Sequence, residues 1–364
     1  MSNVATSEPA PAGDARLEQL KERLKVAAPY VGYTLFFSFA LIIFTYLTFP
    51  WERVRDKIVS EFEHGQHPGP GQPRQTLTIG SFKPSWFTGA VLTDVVLTTV
   101  PTDPSKPPSV TRIDELRVRV SLGSLFSPAK DLSFQIHAMG GTIEGTVTNV
   151  RSAERDATPT VAKKNAVPGK DDGPKYDRTI RAELEGIDVQ QITAIRDAIG
   201  APVGGTLKGK IDLTLGSSRV DHATGTLDLE IADLWVSDGK VPFKIPALKA
   251  FFGSEDITLP QISIGTVPVQ ISVKSGVAKF DKMSAAGKDL DLGVEGQITL
   301  RELLPESDAA IAVHFKFNDT YRKKGDATAG LLLALDSEPK LRAGKRADGF
   351  YGLKMIGPIG GNAQ

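Results

Sequence analysis

Apolar and polar positions alternate in three distinct ways along this chain. From Val26 to Trp51 there is no charged residue at all. At the helical rise this run reaches roughly 37 Å, more than a hydrocarbon core of about 30 Å. It predicts a transmembrane helix over 26–51. Tyr33, Phe36, Phe39, Ile42, Phe44, Tyr46 and Trp51 are its anchor side chains, the outer aromatics lying where headgroups begin. A cleaved secretory signal has a shorter apolar stretch and a small-x-small site just beyond it; here Phe49-Pro50-Trp51-Glu52 follow.

On either side of the run the period is helical. Leu17, Leu20, Leu24 and Ala27 precede it, and Pro29 allows a bend. Val54, Ile58 and Phe62 follow, predicting that the helix continues on or just off the bilayer, and His64 and His67 fall in a Gly/Pro-rich turn. From Thr76 the period becomes two. Leu116, Val118, Val120 and Leu122 alternate with Arg117, Arg119 and Ser121; Leu132, Phe134, Ile136 and Ala138 repeat this, and after Gly140-Gly141 so do Ile143 and Val147. Later runs carry Leu207, Ile211 and Leu213; Leu227 and Leu229; Leu292, Val294 and Ile298; Val313 and Phe315. The expected fold is mainly β: one N-terminal transmembrane helix, then an extended, curved, mostly antiparallel sheet with a few short helices.

Two short helices are predicted within the β region. One is capped by Asp188 with Gln191 at the third position and is ended by Gly200 and Pro202; the other starts at Pro246 and runs to Phe252. The expected organisation is a tail over 1–25, the span, a juxtamembrane helix and linker over 52–71, a first β region over 72–150, a polar disordered loop over 151–178, and a second β region over 179–364 with a flexible C-terminal tail. Gly141-Thr142-Ile143-Glu144-Gly145-Thr146-Val147 recurs as Gly205-Thr206-Leu207-Lys208-Gly209-Lys210-Ile211, with weaker echoes at Gly225 and Gly296. Its second glycine leaves room for a neighbour or a bend.

Composition adds exclusions. Basic and acidic residues number 43 each, so no net field draws the chain to nucleic acid. There is no cysteine, hence no thiol ligand, nucleophile or disulfide, and redox location stays open. His64, His67, His137, His222 and His314 are too scattered for a zinc motif, and no nucleophile elbow or phosphate loop is present. The reading is therefore non-enzymatic, with no cofactor and no metal. Arg16, Lys21, Arg23 and Lys25 before the span, against Arg53, Arg55 and Lys57 after it, favour an N-terminus in the cytoplasm and the bulk of the chain outside it.

The chain resembles the N protein of bacterial type II secretion systems (the GspN family). The resemblance rests on Thr48-Phe49-Pro50 closing the anchor, on Ile79-Gly80-Ser81-Phe82-Lys83-Pro84-Ser85-Trp86-Phe87-Thr88-Gly89 running into Val91-Leu92, and on Leu184-Glu185-Gly186-Ile187-Asp188 leading to Gly205-Thr206-Leu207-Lys208-Gly209-Lys210-Ile211-Asp212-Leu213. Such proteins are in turn similar to AsmA and TamB-like envelope proteins. The resemblance implies a periplasmic β domain on an inner-membrane anchor, with other type II secretion components as partners, and it names no catalytic residue.

Two candidate surfaces follow. Thr34, Ser38, Leu41 and Thr45 share one helical stripe that permits close approach of a partner helix, unless the hydroxyls bond back to their own carbonyls. Leu207, Ile211, Leu213, Leu227, Leu229, Leu292, Val294, Ile298, Val313 and Phe315 share the apolar face of the sheet. That face must be covered, either by closure into a sandwich or barrel or, in an open trough, by lipid or a partner's strand.

Overall fold

A computed structural model describes residues 12–66, 74–86, 88–100, 108–121, 123, 130–151, 176–193, 195–196, 200–244, 256–302, 306–337, 342 and 344–359. The expected N-terminal tail before residue 12, His67, the polar loop over 152–175, the helix from Pro246 to Phe252 and the last residues of the C-terminal tail lie outside them. The chain divides into two compact units, Met1–Val54 and Arg55–Gln364.

In the first unit, helix α1 (Ala12–Thr48) runs through Pro29 without interruption. Its portion Ala28–Thr48 is long and apolar enough to cross a membrane. The expected continuation past the span is corrected, because α1 stops at Thr48 and α2 (Trp51–Gly65) starts anew. Pro50 is the cause: its ring disfavours helical geometry at Phe49, and it has no N–H to give to the preceding turn. Trp51 then folds back, its indole N–H donating to the Tyr46 carbonyl at 3.2 Å and its ring lying 4.5 Å from that of Phe49.

In the second unit, the part of α2 beyond Arg55 packs on the sheet. Ile58 and Val59 pack on Ile79, Leu92 and Val95 of the first strands. The β domain opens with β1 (Arg74–Ser85), β2 (Gly89–Val100), β3 (Ser109–Val120), β4 (Lys130–Ala138), β5 (Gly141–Arg151), β6 (Tyr176–Asp188), β7 (Val203–Leu215) and β8 (Ala223–Val236). A short hairpin of β9 (Phe243–Lys244) and β10 (Asp256–Ile257) intervenes. The sheet resumes with β11 (Ile262–Lys274), β12 (Val277–Ala286), β13 (Leu290–Thr299), β14 (Asp308–Phe317) and β15 (Tyr351–Pro358). Apart from that hairpin, each strand pairs antiparallel with the one before it, giving a single 13-stranded sheet from β1 to β15. The two end strands do not pair with each other, so the sheet is open and the closed-barrel alternative falls away.

Turn chemistry sets this order. Met139 and Gly140 both have positive φ, 53° and 74°, between paired Ala138 and Gly141, the mirror-image turn whose twist matches antiparallel strands. Ser275 and Gly276 do the same between β11 and β12.

Asp188 caps as expected, accepting from Gln190 N–H at 3.0 Å and from the Gln191 amide at 3.1 Å, and opens a 3₁₀ turn over Val189–Gln191. Thr193, Ile195 and Arg196 beyond it are helical, and the rest of the predicted helix up to Gly200 lies outside the described residues. Gly200 takes the left-handed conformation (φ 73°) foreseen for the stop.

Two further short helices, not among those predicted, follow β14: α3 (Asp319–Arg322) and α4 (Asp326–Ser337) bring Tyr321, Leu331 and Leu332 onto Val267, Val269, Leu290 and Phe317 in the largest core. Asp289, fully buried, pins this corner by accepting from Ser263 N–H at 2.8 Å and from the Lys324 ammonium. Burial and the nearby Asp289 charge raise the Tyr321 phenol well above its ordinary pKa, so it stays neutral and donates to the Pro260 carbonyl. Gly357 and Pro358, expected in a frayed tail, belong to β15.

Candidate functional site

Strand register turns the alternating apolar positions into continuous rows. One row crosses all 13 strands: Pro84, Ala90, Val118, Phe134, Gly145, Ala182, Ile211, Leu227, Ile271, Phe280, Gly296, Ile311 and Met355. No member is charged. A flanking row runs from Val120 through Leu132, Val147, Ile180 and Leu213 to Gly225 and Val273.

The glycines of the repeated motif lie on this face and are used there. Phe134 sits over Gly145, where an added Cβ would lie 2.7 Å from its Cζ and 2.3 Å from the Arg181 carbonyl oxygen. Gly209 adopts φ 147°, and its neighbour Leu229 fills the space above it.

Three clusters cover parts of the face. At the first strands the cover is α2. Around Val267 and Tyr321 it is α3, α4 and the segment from Val189 to Ala201. A third cluster, Ala223, Val273 and Ala278, closes the other end of β7, β8, β11 and β12. The ten residues expected to line a groove therefore divide. Leu207, Leu229, Leu292 and Phe315 pack against the largest core; Leu213, Leu227 and Ile298 pack against the third cluster; Ile211, Val294 and Val313 belong to none of the three and are half-buried.

A further apolar stretch lies outside these clusters. On β4, β5 and β6, Phe134, Ile136, Ile143, Val147 and Ile180 share the face, are half-buried and belong to none of the three. A hydroxyl pair, Ser109 with Thr193 at 2.8 Å, ties β3 to the segment after the 3₁₀ turn. The alternation in these strands was legible; that this part of the face joins none of the three clusters depends on where α2 and α4 dock.

The opposite face is charged and wet. Arg181 pairs with Asp212 at 3.1 Å, Lys210 with Glu183 at 3.2 Å and Lys208 with Glu230 at 2.9 Å, all across neighbouring strands. Exposed pairs of this kind contribute about 0–1 kcal/mol each, so they set register more than stability. His314 bonds Glu295 at 2.7 Å and lowers its carboxyl below the ordinary value. An open depression of about 730 Å³ on this face is lined by both signs, including Arg117, Arg119, Glu144 and Glu183. Among the described residues no group of three His, Asp or Glu is placed to hold a metal.

In the anchor, Tyr33, Phe36, Phe39, Ile42 and Phe44 point outward, while Tyr46 and Trp51 pack together at its end. Thr34 of the partner stripe donates to its own helix, to the Tyr30 carbonyl at 2.8 Å, and Thr48 likewise donates to Phe44 at 2.7 Å. Thr34 thus has the self-satisfied arrangement weighed against partner binding.

The stretches that carried the family resemblance occupy the break between α1 and α2, the β1–β2 hairpin and the paired strands β6 and β7. No protein-family model, curated protein or solved structure matches the chain.

Proposed function

We propose that this chain is a non-catalytic, single-pass component of a bacterial type II protein secretion machine, with its N-terminus in the cytoplasm and its sheet domain in the periplasm. The observation that carries the reading is the architecture: an apolar helix long enough to span a membrane, a proline break, and a 13-stranded open meander. The residues resembling the GspN family support it, since they fall at that break and in adjacent strand pairs. The other type II secretion components are the partners of this reading. The test is secretion itself. Deleting the gene in its own organism should leave exported enzymes in the periplasm, and the full chain should restore export; export at the normal rate in the deletion strain overturns the proposal.

A second reading is favoured by one observation, the half-buried apolar stretch on β4–β6 that joins none of the three clusters. There the sheet would hold acyl chains, as an AsmA-like lipid-binding protein would. Ile143 and Glu144 are sequence neighbours on opposite faces, so a photo-crosslinking side chain at each forms a matched pair. Lipid acyl chains captured from position 143 and not from 144 support this reading; equal capture from both sinks it.

A further inference from the structure

The two edges of the sheet are treated differently. At β1 the edge is blunted: the Gln66 side chain accepts from the outward Gln75 N–H at 3.0 Å, Pro84 has no N–H to offer, and Lys83 adds charge. At β15 the outward groups can be assigned from a single bond. Gly352 N–H donates to the Gly344 carbonyl at 3.1 Å, away from β14, so even-numbered residues of β15 direct their N–H and C=O groups outward. Gly344 occupies Gly352, and Pro358 lacks an N–H. Between them the outward groups of Lys354 and Ile356 have no partner among the described residues. The side chains around them are apolar and open to solvent: Leu353 is 40% exposed, Met355 44% and Ile356 69%. Among the described residues nothing pairs with the Lys354 ammonium.

We propose that this edge accepts an extended strand from a partner protein. The chemistry of the strand follows from the positions it must face. Opposite Leu353 and Met355 it presents apolar side chains, which extend the apolar face by one more strand. On the other face, opposite Lys354, it presents an acidic residue. Main-chain hydrogen bonds to Lys354 and Ile356 supply affinity, and the alternating side chains supply selectivity. The inference goes beyond the secretion reading and does not rest on it.

The test uses the full chain in lipid nanodiscs and a fluorescent acetyl-Thr-Val-Asp-Val-Thr-amide peptide, with acetyl-Thr-Val-Lys-Val-Thr-amide as its control. The Asp peptide should bind about fivefold to tenfold more tightly than the Lys peptide, the size expected for exchanging an opposite-charge cross-strand pair for a like-charge one. Lys354→Glu should reverse that preference. Ile356→Pro removes only an outward N–H and keeps the β14 ladder, so it should abolish binding at an unchanged melting temperature. Equal affinity for both peptides, an unreversed preference in Lys354→Glu, or undiminished binding by Ile356→Pro overturns the proposal. A dimer in sedimentation equilibrium that Ile356→Pro dissociates would make the occupant a second copy, and tighter binding after removal of residues 360–364 would make it the chain's own tail; either overturns the partner strand.

Discussion

Gly145→Ala is the sharpest test of how the apolar face is built. Gly145 stands on β5 with Phe134 and Ala182 as its cross-strand partners, and its φ is not in the left-handed region, so the backbone itself accepts alanine. By propensity the change would stabilise by about 0.5–1 kcal/mol. Packing opposes this, because the new Cβ would lie 2.3 Å from the Arg181 carbonyl oxygen, 2.7 Å from Phe134 Cζ and 3.1 Å from Ala182 Cα. The phenyl ring can rotate away, but the carbonyl belongs to a paired strand and must carry its neighbours with it. Overpacking of this kind costs about 1–3 kcal/mol, which outweighs the propensity gain and leaves a net loss of about 1–2 kcal/mol. At about 2–4 °C per kcal/mol the melting temperature of the β domain should fall by about 2–8 °C. Gly293→Ala is the internal control: it lies on the charged face of β13, where the nearest atom to an added Cβ is the His314 carbonyl oxygen at 4.0 Å, and it should leave the melting temperature level or raise it slightly. Thermal unfolding of the full chain in detergent, followed by circular dichroism in the β-sheet band, measures both. If Gly145→Ala melts at or above Gly293→Ala, Phe134 does not lie over the glycine and the register drawn for β4, β5 and β6 is wrong.

Three further outcomes follow from individual contacts. Lys324→Met leaves the fully buried Asp289 carboxylate without its ammonium and should cost about 3–5 kcal/mol, with Asp289→Asn restoring part of the loss in the same background; urea midpoints of the single and double variants measure the coupling. Gly204→Ala places a Cβ 2.3 Å from Trp235 Cζ2, so the indole must leave its site on the neighbouring strand, and its fluorescence should shift while Gly204→Ala with Trp235→Leu recovers stability; an unchanged emission spectrum counts against the packing. The Lys345 ammonium and then the Tyr351 hydroxyl hold the Asp336 carboxyl below its ordinary range, so the stability it contributes is present above the unfolded carboxyl pKa of about 4 and is lost as the pH falls through the lower folded value. The gap in melting temperature between wild type and Asp336→Asn should therefore be constant from pH 7 to about 5 and close below about pH 4; a gap that persists to pH 2.5 would refute this.

Period and turn chemistry were enough to determine the local elements. An uncharged run of this length has one economical conformation in an apolar medium, and a period of two with Gly140 at a corner specifies antiparallel neighbours, since a register slip of one residue would put arginine or glutamate where Leu116 stands and glutamine or histidine where Ile136 stands. Asp188 as a cap and Gly200 as a stop were legible for the same local reason. What lies over the apolar rows was not. The helix α4 hides in Asp326-Ala-Thr-Ala-Gly-Leu-Leu-Leu-Ala-Leu, where Leu331, Leu332 and Leu335 do fall at helical spacing but adjacent leucines and a glycine blur the period. Strand β15 is obscured because Ile356 is apolar on the face that elsewhere is polar, which breaks the alternation of Tyr351, Leu353 and Met355. Whether Leu207 packs on the largest core while Phe134 joins none of the clusters depends on where α2, α4 and the segment after Asp188 dock. Those contacts join residues far apart in the chain, and no local pattern of hydrophobic and polar positions encodes them.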